Sequence, residues 1–297
     1  MQVRLTLRNT LHIAVLGYCL VLVWMYVRQD RFIYFPVTSE ASLWREQVAH
    51  AGAQIIPGVN AIVVEPPVVD ASTKTALFFH GNDGNALERL SLARVFNNRG
   101  YRLVLAEYPG FGPNPGNPSQ ATIVPAALAL MGEVSRRWPG PVTLVGESLG
   151  SGVAAQVAAA MPASIEELVL ITPFHSLRET AARIMWFIPV GLLLKSPFDS
   201  AAALRQYHGR SSVLVAGQDE LVGPQAGLAL QKELAGQGPS TLLVLPKATH
   251  DSWISGITEA DWDRLLCFRR DQPRPAGLGS RQADWSRKDA CASASVS

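Results

Sequence analysis

Five residues, Gly146-Glu147-Ser148-Leu149-Gly150, constrain this chain more than any other stretch. An apolar, branched run at 142–145 precedes them, and a run of small residues with helical character at 153–160 follows. Gly-x-Ser-x-Gly between a strand and a helix predicts a sharp turn that lifts the serine clear of the backbone. Such a strained turn leaves no room for a side chain two positions either side of the serine, so glycine is required at 146 and 150. The start of the helix then aims unpaired N–H groups, and the positive end of its dipole, at any charge that develops beside Ser148.

Further apolar runs supply a sheet around this turn. Residues 61–64, 76–79, 103–106, 142–145, 168–171, 213–216 and 242–245 read as strands. They are short, continuous and rich in branched residues, as strands covered on both faces should be. Helical stretches at 85–98, 119–138, 148–161 and 224–235 alternate with them. This alternation predicts an α/β fold with a mostly parallel central sheet and helices on both faces. Function in such sheets gathers at the carboxyl ends of the strands. With 297 residues, 48% of them apolar, the chain can bury one sizeable core, and residues 31–268 read as one catalytic domain.

Two segments read as separate from that domain. Residues 9–27 contain no charged side chain, and their apolar part, 11–27, is flanked by Arg4 and Arg8 before it and Arg28 and Arg31 after it. Seventeen helical residues reach about 25 Å, the short end for a membrane span, and the flanking arginines can snorkel to both interfaces. No small-x-small cleavage site directly follows the run, so residues 1–30 read as an uncleaved single-pass anchor rather than a signal peptide. The arginine balance places the amino terminus in the cytoplasm and the catalytic domain on the other side. Residues 269–297, rich in Arg, Gln, Pro, Gly, Ser and Ala, read as a disordered polar tail. A net charge of +2 with scattered basic residues gives no reason to expect a nucleic-acid partner. Three cysteines, Cys19, Cys267 and Cys291, form neither a disulfide framework nor a metal-ligand cluster.

A serine nucleophile needs a base and an orienting acid. In this type of sheet the acid and then the histidine follow later strands. The strand at 213–216 leads into Gly217-Gln218-Asp219, and the strand at 242–245 into Pro246-Lys247-Ala248-Thr249-His250, which makes Asp219 the acid and His250 the general base. Glu220 would need a longer reach, Asp199 precedes its strand, and Asp251 adjoins the base. Among the other histidines, His12 lies in the apolar run and His50 and His208 have no strand-end position. His175 borders the cleft as a wall or cap residue, and His80 supports its own loop. That loop, His80-Gly81-Asn82, follows the strand at 76–79 and supplies one oxyanion donor, the N–H of Asn82; the N–H of Leu149 supplies the other.

With His80-Gly81-Asn82-Asp83-Gly84-Asn85, Tyr108-Pro109-Gly110-Phe111-Gly112, Pro118-Ser119, the elbow at 146–150 and Arg31-Phe32-Ile33-Tyr34-Phe35-Pro36, the chain resembles the α/β-hydrolase superfamily, and more narrowly its BEM46-like, membrane-anchored serine hydrolases. Asp83 and Pro109 depart from that pattern, and Asp83 would put an acid near the oxyanion loop. The resemblance implies the same Ser, Asp and His roles and no defined substrate. Residues 174–197 read as a short cap, either an apolar acyl-binding wall or membrane-facing lip, or a core helix pair covering the sheet, over a small cleft rather than a deep tunnel. The expectation is hydrolysis of a small-molecule carboxylic ester or thioester through an acyl-enzyme, with a peptidase or amidase as the close alternative and a non-catalytic tethered binding protein as the distant one. Such chemistry needs neither a metal nor an organic cofactor.

Overall fold

The computed structural model describes residues 2–266, with side chains from residue 8 onward. The tail expected at 269–297, and the last two residues of the domain expected at 31–268, lie outside the described residues. An eight-stranded sheet forms the centre: β1 (Gln54–Ile56), β2 (Ala61–Val64), β3 (Lys74–Phe79), β4 (Tyr101–Leu105), β5 (Val142–Glu147), β6 (Ile165–Ile171), β7 (Arg210–Ala216) and β8 (Ser240–Leu245). Their spatial order is β1-β2-β4-β3-β5-β6-β7-β8. The β1–β2 and β2–β4 pairs are antiparallel, and the others are parallel. All seven apolar runs lie in or overlap strands. The eighth strand, β1, escapes sequence reading because it is three residues long and begins with Gln54.

Strand side chains alternate between two core layers. Along β3, Leu77 and Phe79 enter one layer while Ala76 and Phe78 enter the other, and none of the four is more than 1% exposed. This two-sided burial explains why the strands read as continuous apolar runs. Helices α2 (Gln120–Arg137), α3 (Leu149–Ala160) and α5 (Pro224–Ala235) cover the first layer. Trp44, Phe96, Trp253 and Trp262 fill the second. The helix expected over 85–98 is wound more tightly: a 3-10 segment spans Ala86–Leu92, and α-helix follows only over Ala93–Asn97. That winding carries Arg89 against the elbow.

Before the sheet stands α1 (Gln2–Arg28), whose stretch Arg8–Arg28 contains an 18-residue window of mean hydropathy 1.9 and is long and apolar enough to cross a membrane. The chain then passes through residues 31–36 to the loop after β3. Phe35 N donates to the Asn82 carbonyl at 2.8 Å, Val37 N to that of Gly84 at 3.0 Å, and Asn82 Nδ2 to that of Ile33 at 2.6 Å. The Phe-Pro segment therefore clamps the His-Gly-Asn loop, a physical reason for the two motifs to occur together. Between β6 and β7 the cap consists of α4 (Leu177–Ile184) and a short helix, Val190–Leu193. In α4 the spacing of Leu177, Thr180, Ala181 and Ile184 puts all four on one face, which lines a pocket, while Arg178, Glu179 and Arg183 face outward.

Candidate active site

The turn after β5 carries Ser148 at φ 48° and ψ −116°, a conformation that costs a non-glycine residue free energy. A Cβ at Gly146 would overlap the Gly150 carbonyl, and one at Gly150 would overlap that of Phe79. Both glycines are therefore needed for the elbow to press against α3 and β3. Ser148 N donates to Ile171 O at 2.9 Å, which ties the turn to the end of β6.

Two later strand ends meet the serine. His250 Nε2 lies 2.8 Å from Ser148 Oγ, and His250 Nδ1 lies 2.7 Å from Asp219 Oδ2. The other carboxylate oxygen, Asp219 Oδ1, accepts from the N–H groups of Leu221 (3.0 Å), Val222 (2.7 Å) and Gly223 (3.3 Å). Burial by itself would raise the Asp219 carboxyl, but the hydrogen bond and charge of His250, helped by the Val222 and Gly223 amides, hold it below the usual range. Gln218 N donates to Ala248 O at 2.9 Å and so registers the acid loop on the histidine loop. The residues expected from sequence thus come together as a hydrogen-bonded chain. Their rivals do not join it: Glu220 and Asp251 are exposed, and Asp199 caps Ser200–Ala203 by accepting from Ala202 N.

His80 is buried and braces its loop. Its Nδ1 lies 2.8 Å from Gly81 O and its Nε2 3.2 Å from Glu107 Oε1. Glu107 also accepts from Ala86 N and Tyr108 N, and Tyr108 Oη donates to His80 O. His175 differs from its expected place at the cleft. It pairs with Glu179 and Glu233, whose carboxylates draw it to the outer side of α4. Asp83 is exposed, and its carboxylate accepts from Gly84 N.

Ser148, Leu149 and Asn82 open into an apolar cavity of about 170 Å³. The cap lines it through the inner face of α4 and through Met185, Ile188, Leu193 and Leu194. Leu221 and Val222 close it from the acid loop. Met25, Tyr26, Gln29, Phe32 and Ile33 also line it, so the end of the apolar amino-terminal segment joins the pocket rather than standing apart from the fold. Hydropathy alone marks that segment as a tether; the polar Gln29, two residues past the apolar run, makes the contact.

Sequence reading also missed a brace under the elbow. Buried Glu147 accepts from Arg89 Nε at 2.6 Å and Nη2 at 3.1 Å, and from Trp253 Nε1 at 3.0 Å. Burial would lower Arg89, but the charge and hydrogen bonds of Glu147 outweigh it and raise the guanidinium above its ordinary value. The three groups join the elbow to the 3-10 segment and to the turn that follows His250. Arg89→Ala would leave Glu147 buried without its counter-ion, at an expected cost of about 3 kcal/mol in stability. Urea unfolding followed by tryptophan emission checks this; an unchanged midpoint would show that the brace does not support the fold.

Comparison with known proteins agrees with this geometry. A sequence-family model described as serine aminopeptidase, S33, matches residues 70–205, which include Ser148 but stop short of Asp219 and His250. The Mycobacterium tuberculosis protein Rv2307c is 28% identical over 78% of this chain and 83% of its own. The protein bem46 of Schizosaccharomyces pombe is 26% identical over 62% and 64%. Lysophosphatidylserine lipase ABHD12 of Danio rerio is 32% identical, over 37% of this chain and 31% of its own. Among solved structures, the Pyrococcus furiosus esterase Pf2001 aligns over 80% of this chain and 97% of its own, with a TM-score of 0.61 at 16% identity. Est1E from Butyrivibrio proteoclasticus aligns over 70% and 94%, with a TM-score of 0.58 at 18% identity. With the strand order, the elbow and the clamped His-Gly-Asn loop, these comparisons show that the chain has the α/β-hydrolase fold and is similar in sequence to bem46 and ABHD12.

Proposed function

We propose that the protein is a serine hydrolase that cleaves carboxylic esters or thioesters, held at a membrane by α1. The hydrogen-bonded chain Ser148–His250–Asp219, opening on an apolar pocket, carries this reading. Ser148 Oγ attacks the acyl carbonyl while His250 Nε2 takes its proton. Asp219 Oδ2 accepts from Nδ1–H, which keeps Nε2 free to act as the base and stabilises the imidazolium. The oxyanion lies between the N–H groups of Asn82 and Leu149, at the positive end of α3. His250 then returns the proton to the departing alcohol or thiol, and water repeats the sequence on the acyl-enzyme to release the acid. These steps use no metal or organic cofactor.

Supporting an ester over a peptide is the lining itself: among the pocket residues there is no Asp or Glu to receive the free amine that an aminopeptidase substrate presents. The description of the matching family model as an aminopeptidase keeps an amide-cleaving reading as the second one. A panel of acyl esters and aminoacyl amides separates the two. Turnover of esters and no turnover of aminoacyl amides is the expected result; the reverse would overturn the ester assignment. Arg4, Arg8 and the amino terminus before the span, against Arg28 and Arg31 offset by Asp30 after it, support a catalytic domain on the non-cytoplasmic face.

A further inference from the structure

The end of α1 presents one face to the cap. Tyr18, Leu22, Met25 and Gln29 follow one another at helical spacing, and Leu22, Met25 and Gln29 are the described residues of α1 and its following turn that lose most exposure. Tyr18 Oη donates to Phe187 O at 2.7 Å. Gln29 Nε2 donates to Leu193 O at 3.0 Å, and Lys195 N donates to Gln29 Oε1 at 2.7 Å. Lys195 Nζ lies 4.2 Å from the centre of the Tyr26 ring.

Depth follows from helix geometry. Tyr18 stands ten residues before Arg28, about 15 Å along the axis, which is half of the roughly 30 Å hydrocarbon core. With Arg28 and Arg31 among the headgroups, the cap carbonyl that Tyr18 holds lies well inside the hydrocarbon. The outer surface of the cap suits that solvent. Trp186 is 82% exposed, Leu192 87% and Phe187 55%, a patch that in water would be an aggregation liability. Backbone polar groups at that depth need protein partners, and Tyr18 supplies one to the Phe187 carbonyl, while Gln29, level with the headgroups, holds that of Leu193. Tyr26 with Lys195, and Trp24 packed against Phe32 at 5.5 Å, gather near Arg28, the aromatic and basic mixture that suits a membrane interface.

We propose that cap residues 184–192 lie in the same hydrocarbon layer as α1, and that the last turn of α1 and the cap are the two walls of a channel through which an acyl chain passes from the bilayer to Ser148. The proposal rests on the ester-hydrolase reading and deepens it. The substrate class is a membrane-resident lipid whose acyl chain lies between Met25 and Ile33 on one side and Ala181 and Ile184 on the other. Its ester carbonyl stands at Ser148 and its headgroup faces water. α1 is then a specificity element as well as an anchor.

Full-length protein in phosphatidylcholine vesicles brominated midway along the acyl chains tests the embedding. Because Trp24 on α1 also emits, Trp186→Phe is the comparator. A larger quenched fraction in wild type than in Trp186→Phe is expected, and equal fractions would overturn the embedding. The channel is tested by Met25→Trp and, independently, Ala181→Trp, which narrow it from opposite walls. In the same vesicles, the ratio of kcat/KM for p-nitrophenyl palmitate to that for p-nitrophenyl acetate is expected to fall by about tenfold or more in each. An unchanged ratio in both variants, with Ser148 still labelled by a fluorophosphonate, overturns the channel and leaves the hydrolase reading standing. Folded wild type that is neither labelled nor active on either ester overturns the hydrolase reading, and the channel with it.

Discussion

Ser148→Ala is expected to abolish fluorophosphonate labelling and to lower kcat for an activated ester by about 10⁴- to 10⁶-fold. The size follows from what is removed. His250 Nε2, 2.8 Å from Ser148 Oγ, loses the proton it is placed to take, and only the oxyanion donors and the pocket remain to assist attack by water. The same position carries a separate stability signature. Ser148 has φ 48° and ψ −116°, strain of about 1–3 kcal/mol for any residue with a Cβ. Alanine keeps that strain, whereas glycine relieves it at a backbone-entropy cost of about 0.5–1 kcal/mol. Both variants lack the hydroxyl, so Ser148→Gly is expected to unfold at a higher temperature than Ser148→Ala in a calorimetric scan. Labelling that survives in either variant would move the nucleophile to another serine, and a glycine variant no more stable than the alanine one would remove the strain from the account of the elbow.

How much of this was legible in the sequence depended on whether the signal was local. The elbow is a five-residue pattern whose flanking strand and helix lie beside it, and Asp219 and His250 each follow an apolar run at a short offset. Once the parallel order of those runs is accepted, the three residues must gather at one edge of the sheet. The brace under the elbow has no such signal. Arg89 and Trp253 stand 58 and 106 residues from Glu147, and only the tight 3-10 winding of Ala86–Leu92 brings the first of them into place. The contacts of the amino-terminal helix are hidden from the sequence for a related reason. Hydropathy reports that a segment is apolar but not which face meets protein, so Tyr18, Met25 and, just past the apolar run, Gln29 fall within an expected anchor although they meet the cap or line the pocket. His175, expected as a wall or cap residue, stands at the start of the cap but not in the pocket lining, because two nearby glutamates pair with it.

Asp219→Asn is expected to lower kcat/KM by about 10⁴-fold while leaving the fold in place, and the hydrogen bonds around the carboxylate say why. Oδ1 accepts three backbone N–H groups, from Leu221, Val222 and Gly223, and an amide NH₂ cannot occupy that position without facing three donors. The asparagine must therefore keep its oxygen there and turn its NH₂ toward His250 Nδ1, 2.7 Å away in the wild type. Nδ1 then becomes the acceptor, Nε2 carries the proton, and the histidine faces Ser148 as a donor rather than as a base. Fluorophosphonate labelling is expected to slow by a comparable factor. A loss of only a few fold would mean that His250 is held in its working tautomer by something other than Asp219. The variant also has a pH signature. The folded carboxyl is held below its ordinary value of 3.8, so it contributes stability that is fully present above that pH and is lost as pH falls through the lower folded value. The stability difference between wild type and Asp219→Asn is therefore expected to shrink as the pH falls through and below the ordinary carboxylate range. Parallel denaturant titrations of the two proteins across that range measure this difference directly, and a gap that widened on acidification would reverse the sign assigned to the Asp219–His250 contact.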